Sequence, residues 1–587
     1  MILHALCTYY TRMSRDPKSG MPRPGFSAEK ISFGLSLRPD GSLARVVDLR
    51  EHDGKKSRPR VMLVPAAVKR AVNVAPNFLW DNTGYVLGVD GKGKPERTAK
   101  TFEAFRALHE LAASSGGSVM LQAVTAFLRD WTPDRFDNLP GVDPATVLDS
   151  NCVFMWDDSL DFIHDQPDAV RPEAPDAEDG SGAAWCLVTG RKAKAARLHP
   201  SIKGVRGGQS SGGALVSFNL EAFTSYGKEQ SYNAPVSEHA ASAYTAALNY
   251  LLDRKHKRCL QIGDASTVFW AEEASRGEDL LLALLAGPGA LEERDGADAQ
   301  QAQPVKGESH KERSVAQTVD LLLQDLIGGR SIEEALPDIN PNVRFYILGL
   351  APNAARIAVR FWHAATFGEL AANAANHQRD IAIERQYDNQ PEYPTLWHLL
   401  VDTAPLRKTE NISPPLAAGL ARAVFTGGRY PHALLAAAVS RIRADKEVTY
   451  TRAALIKGCL TRTYTKEVPF MLDTNRQDVP YLLGRLFALL EKAQLDALGA
   501  INATIRDKYI GSASSMPATV FPRLLHMAQY HISKAEYGGH LESRIAEVAD
   551  NIGSFPARLA LPDQGAFFLG YYQQRNANYR KPPAKEA

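Results

Sequence analysis

Hydrophobic positions change their period several times along the chain. Ile31 to Leu37 alternates apolar and small or polar residues with period two, which predicts a half-buried strand. Val61 to Val64 and Tyr85 to Val89 are short β-branched or aromatic runs and are also read as strands. Phe102, Phe105, Leu108 and Leu111 then recur at helical spacing from Lys100 onward, and a second helix is expected over Val119 to Trp131. Further strands are expected at Trp185 to Thr189, Leu215 to Phe218 and Thr267 to Ala271, with Ser237 placed to cap a helix reaching Leu252. Ser314 to Leu326 reads as a helix and Val343 to Leu350 as a strand. From Pro414 to Ile552 the spacing of Leu, Ala, Ile and Val is helical throughout. The expected class is therefore α+β: a mixed strand and helix N-terminal part, followed by an all-α helical bundle beginning near Asp402.

Two stretches interrupt these patterns. Asp165 to Gly182 is rich in Pro, Asp, Gly and Ala without an apolar face, and reads as an exposed loop. Gly287 to Glu312 is polar, charged and aperiodic, as a linker or variable insertion is. The expected organisation is an α+β recognition region over 1–286, the linker over 287–312, a mixed helix and strand connection over 313–402 and the bundle over 403–587. Length agrees, since 587 residues leave room for about three domains. With 44% hydrophobic and 23% charged residues, the chain has the composition of a folded globular protein.

Net charge is only +2, but its distribution is uneven. Met1 to Glu110 holds 19 basic and 11 acidic residues, Asp130 to Asp179 holds 14 acidic against Arg135 and Arg171, and Thr189 to Arg258 holds 11 basic against four acidic. Segregated charge of this kind can line separate surfaces, an arrangement suited to an elongated polyanion. The five cysteines are scattered without a CxxC pair, so neither a disulfide framework nor a zinc knuckle is indicated, and a reducing cytoplasm fits. No apolar run reaches the 18 or so residues of a membrane span, and no membrane partner is expected.

Enzyme motifs are weak. Gly208-Gln209-Ser210-Ser211-Gly212 matches the G-x-S-x-G of a nucleophile elbow, but a strand is expected after it where a helix should leave the turn, so it is read as a glycine-rich loop open to a ligand. His164-Asp165 lacks companion His-Asp signals and is expected at the surface. No phosphate-loop, dinucleotide, zinc-protease or calcium-loop pattern occurs, so no catalytic residue, metal ligand or cofactor is assigned.

Two basic clusters point elsewhere. Lys55, Lys56, Arg58 and Arg60 precede Asn73, Asn77, Phe78 and Trp80, a mixture suited to phosphate contact beside amide or stacking readout. The second is denser: Arg191, Lys192, Lys194, Arg197 and His199, then Lys203 to Gly213 with Arg206, Gln209, Ser210 and Ser211, then Ser225 to Asn233 with Lys228, Gln230 and Asn233. Glycines admit a groove wall close to the backbone, while Gln, Asn, Ser and Lys reach acceptors on base edges. The four basic residues of the first cluster are expected at phosphates. Lys203, Arg206, Gln209, Ser210, Ser211, Lys228, Gln230, Asn233, Asn73 and Asn77 are expected at DNA.

The strings WCLVTG (185–190), RLHP (197–200), IKGVR (202–206), SYGKEQ (225–230) and YNAPVS (232–237), with NVAPNFLWDN (73–82) and YILGLAPNAARIAVRFW (346–362), resemble the large subunit of the subtype I-C (Dvulg) CRISPR interference complex, Cascade. The resemblance runs in order over essentially the whole chain. It implies a non-catalytic protein at the crRNA 5′ end that reads the short motif flanking a target (the PAM) on double-stranded DNA. It also implies help in opening that duplex, assembly with the Cascade backbone and small subunits, and recruitment of a helicase-nuclease. It further implies that the small subunit is translated from inside the same gene. Met471 is the favoured start, giving 117 residues, because Met516 and Met527 leave too little chain for a core and Lys466-Glu467 can be encoded as a purine-rich ribosome-binding sequence. Two other classes stay open, a metal-dependent nuclease and a purely structural scaffold subunit.

Overall fold

A computed structural model describes the chain except residues 17–18, 24, 54–55, 69, 71–73, 115–117, 167–182, 287–309, 500 and 581–587. Lys55, Asn73, most of the acidic stretch and nearly all of the expected linker lie outside the described residues. The fold is mixed α+β, with several small sheets in the N-terminal half and helices dominating the C-terminal part. The chain forms two compact units: residues 1–204, 209–250 and 354–356 make the first, and 205–208, 251–353 and 357–587 the second.

The first unit contains helix α1 (Ile2–Met13) and strands β1 (Phe26–Ile31), β2 (Phe33–Leu37), β3 (Leu43–Asp48), β4 (Glu51–Asp53), β5 (Lys56–Arg58), β6 (Arg60–Pro65) and β7 (Trp80–Asn82). Helices α2 (Thr83–Val86), α3 (Pro95–Ser114), α4 (Val119–Asp130) and α5 (Pro144–Val147) follow, then β8 (Asn151–Trp156), β9 (Ala183–Trp185), β10 (Lys192–Lys194) and α6 (Glu238–Leu252). Its main sheet has the order β3-β2-β8-β7, with β2 parallel to β8 and antiparallel to β3. Every residue of β2 is buried, and Phe105 of α3, Phe127 of α4 and Phe154 of β8 fill the core beside it. The alternation at Ile31 to Leu37 is divided between two sheets: Ser32 donates its N–H to Asn151 O at 3.0 Å, and β1 pairs instead with β6.

Three expected strands come out differently. Tyr85 to Val89 is α2 and the turn after it, because Asn82 accepts the Gly84 N–H on its Oδ1 at 3.0 Å and starts a helix. Trp185 to Thr189 leaves the strand at Trp185, where a turn closes through the Gly190 N–H to Cys186 O. Leu215 to Phe218 is irregular; only Ala214, just before it, makes a parallel bridge, to Arg356.

The second unit is built on the sheet β11 (Cys259–Ile262), β12 (Ala265–Ala271), β13 (Arg344–Asn353) and β14 (Arg356–Thr366), in that order. Its helices are α7 (Gly277–Ala286), α8 (His310–Ile327), α9 (Ile332–Ala335), α10 (Phe367–Ile381), α11 (Leu396–Val401), α12 (Pro414–Thr426), α13 (His432–Asp445), α14 (Tyr450–Tyr464), α15 (Val479–Leu498), α16 (Ile505–Ala513), α17 (Pro517–Lys534), α18 (Gly538–Asp550) and α19 (Leu561–Tyr579). Phe269, Phe345 and Ile347 on the sheet share one continuous apolar core with α10, α14, α15 and α19. The tightest crossing is α15 on α19: a Cβ at Gly484 would collide with Phe567 O, and one at Gly570 with Tyr481 O, so both helices need glycine there to bring their backbones together. Among the described residues no helix is long and apolar enough to cross a membrane.

Candidate nucleic-acid interface

The frame of the candidate surface is α6. Ser237 caps it, its Oγ accepting the Ala240 N–H at 3.2 Å. Residues 195–203 run beside the helix in the same direction, tied at three levels: Ala195 bridges to Ser237, His199 Nδ1 meets the Tyr244 hydroxyl at 2.7 Å, and Lys203 donates its N–H to Asn249 Oδ1 at 2.7 Å. Ser237 and Asn249 are twelve residues apart on one helix, hence about 18 Å. Each end of the tied segment supports one of the loops singled out from the sequence. His199, counted in the basic cluster, is buried against Tyr244 and takes no part in the surface.

At the Asn249 end stands the loop around the G-x-S-x-G string. Ile202 and Gly213 close its base by a pair of hydrogen bonds, 2.8 and 2.9 Å. Gly212 turns with φ +86°, and a Cβ there would lie 2.7 Å from Ile202 O. No strand enters this turn and no helix leaves it; Gln209, Ser210 and Ser211 project from it, exposed. The ammonium of Lys203 pairs with Glu29 Oε2 at 2.9 Å, which ties the loop to the β1–β6 ribbon of the same unit. Arg60, exposed, pairs with Ile31 on that ribbon, two residues from Glu29. Arg58 is exposed at the end of β5, and the backbone of Lys56 begins that strand. Arg206 belongs to the second unit, exposed, with its backbone N–H on Ser266 Oγ at 3.0 Å.

At the Ser237 end, the hairpin β9–β10 and the loop 220–236 meet the helix start. Ala196 and Leu187 donate their N–H groups to Val236 O and Pro235 O. Cys186 is buried and accepts the Ser237 N–H on Sγ at 3.2 Å. Burial pushes this thiol up, but the hydrogen bonds from Ser237 and Thr189 outweigh it and bring the thiol down to about 6. Lys228 is exposed, whereas the two amides of this loop are engaged within it. Gln230 Oε1 accepts from Arg197 Nη1 at 2.7 Å; Asn233 accepts the Ser225 N–H at 3.1 Å and donates from Nδ2 to Gln230 O at 3.0 Å. Asn77 is likewise internal, buried with Oδ1 on the Val68 N–H at 2.9 Å, next to the Arg70–Asp81 ion pair.

His164, expected at the surface, is buried beside Phe162, because the short 3-10 turn that carries it packs inward, and Asp165 faces Arg23 at 3.3 Å. Among the described residues no three His, Cys, Asp or Glu side chains stand close enough to hold a metal ion.

These loops carry the strings on which the resemblance rests, and the resemblance extends to the chain as a whole: the family model described as CRISPR-associated protein (Cas_Csd1) matches residues 6–579. The chain belongs to this family. No curated protein matches it. As a member of the Cas_Csd1 family it is a CRISPR-associated Cascade subunit, and both compact units lie inside the match. In this Cas_Csd1 chain the sequence reading overlooked Tyr226, fully exposed at a turn bridged by Ser225 and Lys228, where Gly227 was the one turn residue legible in the sequence.

Proposed function

We propose that this chain is the non-catalytic large subunit of a subtype I-C Cascade, and that its first unit engages the duplex flanking a target. The observation that carries this reading is the α6 frame, whose anchoring residues Ser237 and Asn249 lie about 18 Å apart along the helix and support two exposed loops bearing Lys203, Gln209, Ser210, Ser211 and Lys228. At about 3.4 Å per base pair that span covers roughly five steps, the scale of a short flanking motif. Gln209, Ser210 and Ser211 are short or flexible polar groups on a turn that lets backbone approach a groove. Gln230 and Asn233 serve the same reading by holding their loop in shape, and Asn77 does so for the segment after β6. Arg58, Arg60 and Lys56 on the β4–β5 and β1–β6 ribbons are phosphate anchors in this reading. The guide RNA, target DNA, other Cascade subunits and a helicase-nuclease are its proposed partners, and it acts without metal or cofactor.

The test compares assembled guide-loaded complexes on targets with the correct and with scrambled flanks. Gln209→Ala and Lys228→Ala are expected to weaken binding to the correct flank more, by about 1–3 kcal/mol for each lost base contact. Equal losses on both flanks would reduce these residues to phosphate contacts. Replacing Arg58 and Arg60 by Gln is expected to weaken binding to all sequences and to flatten its salt dependence. Cleavage of DNA by the purified chain with magnesium or manganese would sink the non-catalytic assignment.

A further inference from the structure

The second unit holds a cavity of about 420 Å³, walled by the loop 386–391, the first turns of α14 and α16 and the C-terminal half of α19. Its two ends differ in charge. At one end Arg407 is matched by two carboxylates, its Nε 2.9 Å from Asp402 Oδ1 and its Nη2 2.7 Å from Glu447 Oε2, which leaves one negative charge. At the other end Arg506 and Arg575 flank the buried carboxylate of Glu491, which leaves one positive charge. Each Nε lies 3.8 Å from Glu491, beyond hydrogen-bond reach, and Glu491 accepts instead from the Tyr571 hydroxyl at 2.6 Å. Arg506 also faces Asp507 at 3.6 Å, a carboxylate engaged in capping α16 through the Thr504 N–H at 2.8 Å. The Nε atoms of Arg506 and Arg575 are both buried, and neither has a hydrogen-bond acceptor among the described residues. A buried charged donor left without an acceptor is costly, and an anion entering the cavity removes that cost for both.

The mouth supplies a flat ring. Tyr450 and Tyr572 are buried with their hydroxyls on Pro391 O and Glu384 O, whereas Tyr387 lines the same cavity and is 61% exposed. Gln390 fixes the loop that carries it, Oε1 accepting the Gln386 and Tyr387 N–H groups at 2.8 and 3.2 Å. The segment bearing Arg407 is strained: Leu406 and Arg407 both have positive φ, 59° and 52°, a conformation L-residues disfavour. Successive residues held in this way are kept where the placement of a side chain matters, and here the placed side chain is that of Arg407 on the cavity wall.

We propose that this cavity binds one nucleoside monophosphate, with its phosphate on Arg506 and Arg575 and its base against Tyr387. The volume suits a ligand of that size, and the negative Asp402–Glu447 end disfavours a second phosphate, so the ligand is a free nucleotide and not a strand. It undergoes no reaction there, and the site stands independently of the duplex surface on the first unit. The full-length chain is titrated calorimetrically with adenosine 5′-monophosphate and its guanosine, cytidine and uridine counterparts, with each nucleoside, with inorganic phosphate and with a short oligothymidylate. At least one nucleotide is expected to bind one to one, roughly tenfold or more tighter than its nucleoside or phosphate alone. Tyr387→Ala, a change at an exposed ring, is expected to weaken that nucleotide roughly tenfold and leave phosphate binding unchanged. Arg575→Lys keeps a charge beside Glu491 but removes the planar fork, and is expected to weaken nucleotide and phosphate alike, with the unliganded melting temperature showing that the variant folds. Failure of every nucleotide to bind at millimolar concentration overturns the proposal, as does binding that both variants leave unchanged. A nucleoside that binds as tightly as its nucleotide removes the phosphate site, and oligothymidylate that binds more tightly than every nucleotide and is lost in both variants makes the cavity a strand contact; either result overturns it.

Discussion

A polar side chain on a loop can hold the loop or reach beyond it, and its hydrogen bonds decide which. Asn233 uses both ends of its amide inside the turn, and Asn77 is buried with its oxygen on a backbone N–H. Gln209, Ser210 and Lys228 are exposed and stand free to make outward contacts, so they carry the discrimination test. Titration offers a second test at this scale. His377 is fully buried in the second unit, hydrogen-bonded to the Tyr430 hydroxyl, and burial together with nearby Arg462 holds its pKa down to about 3. The folded state keeps it neutral while the unfolded chain takes up a proton below about 6.5, so this contribution to stability is present above that pH and is lost as pH falls toward 3. The slope from one such group reaches about 1.4 kcal/mol per pH unit. His377→Gln is expected to flatten the acid limb of a denaturation series between pH 6 and 4, and an unchanged limb would show that His377 is not what titrates.

At the scale of elements, the α15–α19 crossing is the most demanding contact. Gly484→Ala or Gly570→Ala places a methyl against a backbone carbonyl that no rotamer change can move, so each is expected to cost about 3 kcal/mol, the upper end for overpacking. Denaturant midpoints check this, and a loss well under 1 kcal/mol would mean the helices can slide apart freely. The long helices were legible because their apolar positions recur every three to four residues over many turns, as in α3, α4 and α12 to α18. Short apolar runs were not, since a run of four or five residues fits strand, helix or neither. At Tyr85 the deciding residue was the cap at Asn82, outside the run, and before Leu215 the pairing stops at the single bridge from Ala214 to Arg356. The central strand β8 was passed over because Cys152 to Met155 is buried on both faces and does not alternate. In the candidate site, sequence identified both loops but not the roles within them. Exposure separates Gln209 from Asn233, and only tertiary contacts such as Arg197 with Gln230 set it.

At the scale of the molecule, the end of the chain carries an expectation of its own. Met471 is exposed in the segment before α15, and helices α17, α18 and α19 all pack on α15, so a product starting there keeps whole helices around one centre. It would lose the Lys466–Asp563 ion pair and uncover the face of α19 where Gly565 meets Ile456 and Leu435. Changing the Met471 codon to leucine, or recoding Lys466-Glu467 synonymously, is expected to abolish a 117-residue product while full-length chain persists. Survival of that product in both cases would contradict the assignment. The central claim, that the first unit reads the duplex beside a target, is tested most directly by selection. Guide-loaded complex is offered targets with a fully randomised flank, and the bound fraction is sequenced. The account expects enrichment of one short motif within about five base pairs of the guide-paired region, lost on combined replacement of Gln209 and Lys228. A bound pool as random as the input would contradict it.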